Sequence, residues 1–190
     1  MADKGTCLKL PFTVLIDSNE GSPWMFKNIV GDAKDGGKIL QVETKWQSLG
    51  RYPRSLGDYS IDGHVGRVAI ERKSMADIQG TVLGWSEDGG ETRRQRFEKE
   101  LENLGYIPFS IVIVEASLLD CLNHMPSYGV KSADDNKKIF WRSVMAYQQD
   151  FPTVQWMFCG SVRMAEEYAL CWMRRYWRKV VKEADNGEAV

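Results

Sequence analysis

Two carboxylates and one amine are spaced so that two neighbouring strands would bring them together. Glu71 and Lys73 stand two residues apart in the segment A-I-E-R-K-S. Alternate side chains of an extended strand share a face, so both would point to the same side of a sheet. Asp58 begins the preceding predicted strand, in G-D-Y-S. If the two strands pair as a hairpin, Asp58 comes close to Glu71.

Close carboxylates repel each other and therefore favour a cation between them. Oxygen ligands suit a hard ion such as Mg²⁺ or Mn²⁺. Such an ion polarises a phosphodiester and lowers the pKa of its bound water, while Lys73 would offset charge in the transition state. Asp17 and Glu20, which follow the first predicted strand, are further candidate ligands. The set predicts metal-dependent phosphodiester hydrolysis.

The order of the whole set is more specific than any pair within it. Glu-x-Lys alone arises by chance in chains of this length, and an exposed ion pair on a strand explains it equally well. Here D-x-x-E after the first strand, G-D-Y, E-R-K-S and then Asp77 follow one another in the chain. This order favours the catalytic interpretation.

Short apolar strands and amphipathic helices must position these residues. Strands are predicted over 12–16, 38–44, 59–62, 65–71, 108–115 and 154–158. Helices are predicted over 24–30, 74–83, 91–104, 117–123, 135–149 and 161–181. Ser22 and Ser74 are suitable N-cap residues for the first two helices. Apolar strands followed by helices indicate an α/β domain with a mixed central sheet flanked by helices.

Length and composition limit the class of protein. The chain of 190 residues predicts one domain over 1–190, with a core over about 10–160 and a C-terminal helix over about 161–182. The apolar share of 43% and charged share of 27% exclude a disordered, collagen-like or coiled-coil chain. The net charge of −1 excludes a strongly basic nucleic-acid coat, but leaves a local basic groove open.

The cellular setting follows from what the sequence lacks. The 4 cysteines form no C-x-x-C pair, and 2 histidines add no zinc-type cluster. No apolar run approaches the length of a membrane span, and the N-terminal residues do not resemble a signal peptide. These features predict a cytoplasmic protein that does not contact a membrane.

The segments G-D-Y and E-R-K-S-x-x-D together resemble the nuclease domain of the XPF-type structure-specific endonucleases, a family of the PD-(D/E)XK nuclease superfamily. The segment I-D-S-N-E at 16–20 resembles the family's V-D-x-R-E-like motif. The apolar strand 109–115, which ends in a glutamate, is similar as well. The resemblance covers roughly residues 12–115 and extends toward 160. It implies a restriction-endonuclease-like core and metal-dependent cleavage of DNA at branches or junctions.

The resemblance also assigns roles to the motif residues. It implies that Asp58 and Glu71 bind the metal and that Lys73 serves catalysis. Asp17 and Glu20 would support the metal site, with Asp17 as a further metal ligand. The implied cofactor is Mg²⁺, with Mn²⁺ able to substitute.

The resemblance gives the remaining motif residues supporting roles, and it has one departure. Arg72 would support the site or the scissile phosphate, and Asp77 would cap the next helix or orient the site. Asn19 stands where the family usually has arginine, so one cationic contact is missing. Arg51 and Arg54 are candidates to replace it and to bind DNA.

A basic helix start supplies further candidate DNA contacts. Arg93, Arg94 and Arg96 lie in the first two turns of the helix predicted over 91–104. Arginines at such a position bind phosphates, whereas a solvated helix face with local ion pairs is the alternative.

No tandem helix-hairpin-helix module is recognisable in the chain. The resemblance therefore predicts a stand-alone nuclease for repair, recombination or phage DNA processing, in which a homodimer or a partner protein supplies DNA-structure recognition. A second hypothesis is a catalytically inactive nuclease-fold module that binds DNA or a protein. A third is a nuclease that acts on RNA, because the phosphate chemistry is the same.

Overall fold

The computed structural model describes residues 7–50, 54–84, 91–127 and 132–185. These ranges contain six strands: β1 Cys7–Asp17, β2 Ile39–Gln47, β3 Tyr59–Ile61, β4 Val68–Lys73, β5 Phe109–Val114 and β6 Gln155–Phe158. They also contain five α-helices: α1 Met75–Val82, α2 Arg93–Gly105, α3 Leu118–Asn123, α4 Ala133–Asp150 and α5 Val162–Asp185. A short 3-10 helix spans Ala33–Asp35.

The strands form one mixed sheet in the order β2-β1-β3-β4-β5-β6. Strand β3 is antiparallel to both of its neighbours, while the pairs β1–β2, β4–β5 and β5–β6 are parallel. The predicted α/β class and mixed central sheet are confirmed, and so is the hairpin that carries Asp58 and Glu71.

Helices cover both faces of the sheet because its central strands are apolar on both sides. Ile111 and Ile113 of β5 pack in the hydrophobic layer that contains α5. Val112 and Val114 alternate with them and pack in the layer formed with α1, α2, α3 and α4. This alternation is the reason that β5 reads as a continuous apolar run in the sequence.

The predicted helix over 24–30 is wrong. Phe26 and Asn28 have φ angles of 54° and 56°, in the left-handed region that a right-handed helix cannot contain. The backbone N–H of Phe26 donates to the carboxylate of Glu166, and the guanidinium of Arg163 donates to backbone carbonyls of this segment. Contacts with α5 therefore override the local N-cap signal.

The helix that follows the motif strand begins as predicted. The hydroxyl of Ser74 accepts a hydrogen bond from the backbone N–H of Asp77 at 3.2 Å, and Ser74 has extended backbone angles. The chain therefore turns sharply at the end of β4, immediately after Lys73. Among the helices of the described ranges, none has the length and apolar character needed to span a membrane.

Candidate active site

The pairing of β3 with β4 places Asp58 beside Glu71. Tyr59 pairs with Ile70, and the backbone N–H of Asp58 donates to the carbonyl of Ile70 at 2.8 Å. The Oδ2 atom of Asp58 accepts from the backbone N–H of Arg72 at 2.7 Å. The Asp58 carboxylate is therefore held against β4, next to the side chain predicted to share its metal.

Gly57 makes this close crossing possible. Its φ angle is +86°, and a Cβ at this position would lie 2.8 Å from the carbonyl oxygen of Ile70. An L side chain would be strained here and would collide with backbone. Glycine is therefore required at position 57 for the chain to place Asp58 against β4.

Lys73 lies at the centre of a set of carboxylates. Its Nζ atom is 2.6 Å from Oε1 of Glu71, 3.3 Å from Oε2 of Glu100 and 3.8 Å from Oδ2 of Asp77. The same nitrogen lies 4.9 Å from the centre of the Phe97 ring. We call Asp58, Glu71, Lys73 and Glu100 the carboxylate–lysine cluster. Glu100, from α2, was not among the residues predicted from the sequence.

Burial makes the charges of this cluster costly. It raises the pKa of Asp58 from 3.8 to about 7, against the opposing effect of the Lys73 charge. Burial, together with the charge of Asp58, raises the pKa of Glu71 well above its usual range. Burial would lower the pKa of Lys73, but the charges of Glu71 and Glu100 raise it instead. If all the carboxylates of the cluster were ionised, their negative charge would exceed the single positive charge of Lys73.

Arg72 points to the opposite face of the sheet and joins three segments. Its guanidinium donates to both oxygens of Glu115, at 2.7 Å and 3.1 Å, and to Oε1 of Glu20 at 3.0 Å. The indole N–H of Trp24 donates to the same Glu115 at 2.8 Å. We call these four residues the arginine cluster. These protein contacts give Arg72 a positioning role between the loop after β1 and the end of β5.

Asp17 also has a positioning geometry. Its Oδ1 accepts from the backbone and side-chain amide of Asn19, at 2.7 Å and 2.9 Å, and its Oδ2 accepts from the backbone N–H of Leu49 at 2.6 Å. Its own backbone N–H donates to the carbonyl of Asp58 at 2.8 Å. The side chain of Asn19 therefore helps to fix Asp17.

An open cleft of about 460 Å³ gives access to the cluster. Its lining residues are Glu20, Gly21, Ser22, Asp58, Glu71, Arg72, Lys73, Ser74 and Asp77. Asp17 is not among these described lining residues, and both of its carboxylate oxygens accept hydrogen bonds from Asn19 and Leu49. Its role as a metal ligand stays a prediction. Glu20 does line the cleft, with one oxygen committed to Arg72.

A second cleft, of about 340 Å³, adjoins the first because the two share Lys73 and Asp77. Arg93 and Arg96 also line it. We call it the arginine cleft. Two of the five arginines predicted to bind DNA therefore lie beside the candidate active site.

Arg94 and Arg54, which were also predicted to bind DNA, are not among the described residues that line the arginine cleft. The guanidinium of Arg94 donates to the hydroxyl of Tyr147 at 3.1 Å and also to that of Ser143. It therefore packs α2 against α4. Arg54 is exposed, and Arg51 lies outside the described residues.

The donor set of the main cleft fits a hard divalent ion. Glu71 supplies a buried carboxylate and Asp58 a half-buried one, and Mg²⁺ typically takes one or two carboxylates together with waters and phosphate oxygens. Within the described ranges, no group of three or more His, Cys, Asp or Glu side chains is arranged to hold a metal by itself. The protein groups present therefore provide a partial shell of the kind that Mg²⁺ completes with other oxygens.

The chain matches no protein-family model and no curated protein sequence. Among solved structures it is similar to XPF from Aeropyrum pernix, with a TM-score of 0.51 and 18% sequence identity. The similarity covers 93% of this chain and 69% of that chain. It thus extends over both halves of the sheet and its helices, beyond the motif segments alone. The fold is that of an XPF-like nuclease.

Proposed function

We propose that this protein is a metal-dependent endonuclease that hydrolyses phosphodiester bonds in DNA. The observation that carries the proposal is the convergence of Asp58, Glu71 and Lys73 in an open cleft. On an XPF-like fold, buried carboxylates with strongly raised pKa values and an adjacent ammonium are typical of a catalytic site.

The proposed roles follow from the contacts of each side chain. Asp58 and Glu71 would hold Mg²⁺ or Mn²⁺, and a bound ion of this kind polarises the phosphodiester and lowers the pKa of a water ligand. Lys73 places a positive charge where negative charge develops on the phosphate oxygens. Arg72 and Asp17 keep the strands and the loop after β1 in register.

The proposed substrate is branched or junction-containing DNA, in repair, recombination or phage DNA processing in the cytoplasm. Arg93 and Arg96 support DNA as the ligand, because they offer phosphate contacts next to the cluster. A second copy of the chain or a partner protein is proposed to supply junction recognition.

A nuclease-fold module that binds nucleic acid without cleaving it is the second candidate. The 2.6 Å contact between Lys73 and Glu71 favours it, because the ammonium engages one of the two candidate ligands. This module would bind DNA through the arginine cleft and leave it intact.

Cleavage assays separate the two candidates. Labelled flap, fork, Holliday-junction, duplex and single-stranded DNA, with RNA counterparts, are incubated with Mg²⁺, Mn²⁺ or EDTA. The proteins are the wild type, Glu71→Gln and Glu102→Gln, a control that removes an exposed carboxylate from α2. We expect cleavage with either metal, at least about 100-fold slower in Glu71→Gln and unchanged in Glu102→Gln.

Retention of wild-type rates in Glu71→Gln would show that the site is assigned wrongly. Binding without cleavage by the folded wild type, on every substrate and with both metals, would favour the inactive module. Cleavage restricted to the RNA counterparts would contradict DNA as the substrate.

A further inference from the structure

We propose that a third cleft, on α5, binds single-stranded nucleic acid. This α5 cleft has a volume of about 530 Å³, and Lys34, Arg175, Arg178 and Lys179 line it. Its described lining residues include no carboxylate, although the chain as a whole has a net charge of −1. A concentration of positive charge on a nearly neutral protein selects an anionic ligand.

Aromatic rings complete the lining and indicate which anion fits. The half-buried rings of Phe109 and Trp172 line the cleft together with the cations. The buried ring of Tyr176 supports Phe109, and the centres of these two rings lie 5.0 Å apart in an edge-to-face contact. Grooves that combine cations with aromatic side chains bind single strands, because the phosphates meet the charges and the unpaired bases contact the rings. A duplex presents its phosphates but keeps its base faces stacked inside. The mixed lining therefore favours a single strand.

A buried ion pair fixes the two walls of the cleft relative to each other. The Nη2 atom of Arg174 lies 2.8 Å and 2.7 Å from the two carboxylate oxygens of Asp35. Arg174 belongs to α5, whereas Asp35 ends the 3-10 helix that carries Lys34. The pair also neutralises the acidic side chain nearest to Lys34 in the chain. The cleft is therefore preorganised, which lowers the cost of binding.

The α5 cleft is distant from the carboxylate–lysine cluster. Phe109 pairs with Val68, whereas Val114 pairs with Lys73 at the other end of the same two strands. This separation of five residues corresponds to roughly 17 Å. The α5 cleft lies on the α5 face, and Lys73 lies against Phe97 on the other. A straight duplex cannot contact the α5 cleft and the carboxylate–lysine cluster at the same time, but a flexible single strand can.

The test measures binding rather than cleavage, so its failure would be distinguishable from failure of the proposed endonuclease activity. Lys34→Ala combined with Arg175→Ala removes one exposed cation from each wall. Neither side chain has an ion pair among the described residues. The control, Lys138→Ala with Arg142→Ala, removes two exposed cations from α4 on the other face. Thermal melting of both variants verifies that they fold.

Fluorescence anisotropy in EDTA reports binding of a labelled oligothymidylate of about 12 nucleotides. We expect the Lys34/Arg175 variant to bind about tenfold more weakly than wild type and its logarithmic salt slope to fall by about 1.4. The control pair and the binding of a matched duplex should change by less than about twofold.

Crosslinking locates the bound strand independently. A strand with 5-iodouracil, irradiated on the wild type, should attach to peptides that contain Phe109 or Trp172. Absence of strand binding, equal losses in the control pair, or crosslinks confined to the arginine cleft would each overturn the proposal. A polyglutamate peptide that binds more tightly than the oligonucleotide would identify an acidic protein segment as the ligand instead.

Discussion

The Nζ atom of Lys73 lies 2.6 Å from Oε1 of Glu71, although only 11% and 6% of the two side chains is exposed. The two residues are neighbours on one face of β4, and Asp58 reaches the same place from the antiparallel strand. One cation thus faces several carboxylates, of which Glu71 is buried and Asp58 half-buried, and that imbalance determines how the protein should respond to pH and to metal.

Asp58→Asn should stabilise the metal-free protein, and by more at pH 8 than at pH 4. Folded Asp58 keeps its proton up to a pKa of about 7, whereas the usual value is 3.8. The folded state therefore binds more protons than the unfolded state between these values, so wild-type stability falls as pH rises. The asparagine of the variant cannot titrate, so the stability of the variant relative to wild type should rise between the usual pKa of 3.8 and the folded pKa of about 7.

Melting temperatures in EDTA measure this advantage. A gain of several degrees is expected at pH 8, since 1 kcal/mol corresponds to about 2–4 °C for a chain of this size. Asp62→Asn, on an exposed carboxylate beside Lys45, serves as the control. An advantage of Asp58→Asn that shrinks as pH rises would contradict the placement of Asp58 in the cluster.

Glu115→Gln should lower the free energy of unfolding by about 3 kcal/mol. The change removes the charge that pairs with Arg72 in a setting where 15% and 6% of the two side chains is exposed. Among the described residues, Arg72 then keeps Glu20 alone as an ionic partner. Urea denaturation of wild type and variant gives the difference.

The matched control for Glu115 is Glu167→Gln, which breaks a solvent-exposed pair with Arg163 at 2.8 Å. Exposed pairs contribute at most about 1 kcal/mol, so this variant should unfold close to wild type. Equal losses for the two variants would show that the arginine cluster does not hold the segments together.

Gly57→Ala should lower both stability and catalysis without touching any charged group. The new Cβ would meet the carbonyl oxygen of Ile70 at 2.8 Å, at a φ angle of +86°. Strain of this kind costs about 1–3 kcal/mol, and its relief displaces Asp58. Gly63→Ala has a similar φ of +78° but open space around the Cβ.

Both glycine variants strain a backbone with positive φ, but only Gly57→Ala also brings its Cβ against the carbonyl oxygen of Ile70. The comparison therefore separates the effect of this collision from the effect of the backbone strain. Thermal melting should show a larger loss for Gly57→Ala, and cleavage of the best substrate should fall in that variant alone. Similar cleavage rates in both would mean that the crossing at Ile70 does not position the catalytic carboxylate.

Arg93→Ala with Arg96→Ala should weaken duplex binding and leave stability nearly unchanged. Two lost phosphate contacts lower the logarithmic salt slope by about 1.8. Arg94→Ala should instead reduce stability by about 1 kcal/mol, because its guanidinium bonds to Tyr147 at 3.1 Å. Salt titrations followed by fluorescence anisotropy test the effect of the double variant on duplex binding, and urea denaturation tests the effect of Arg94→Ala on stability. An unchanged salt slope in the double variant would contradict the arginine cleft as a DNA contact.

Local patterns were sufficient to predict the centre of the site. Period-two alternation correctly placed Glu71 and Lys73 on one face and Arg72 on the other, and the hairpin correctly brought Asp58 beside Glu71. The strands, apart from their ends, were predictable because apolar and β-branched runs bounded by turn residues depend on short-range rules.

Contacts between distant segments were not predictable in the same way. Glu100 reaches Lys73 because α2 packs against α1 and β5, which no spacing within the motif reveals. The hydrogen bonds of the Asp17 carboxylate and the non-helical backbone of the segment 24–30 were also not predicted. D-S-N is a sequence typical of an Asx turn, and this signal could have shown that Asn19 would occupy the Asp17 carboxylate.

The arginine cluster also has a consequence for protein synthesis. Asp58 and Arg72, 14 residues apart, can meet in a hairpin soon after both are translated, whereas the hydrogen bond from Trp24 to Glu115 joins residues 91 apart. Closing so long a loop is slow relative to local pairing. We expect Asp58 and Glu71 to meet on a ribosome-bound chain well before Trp24 and Glu115 join, so that the proposed active site is completed late in translation.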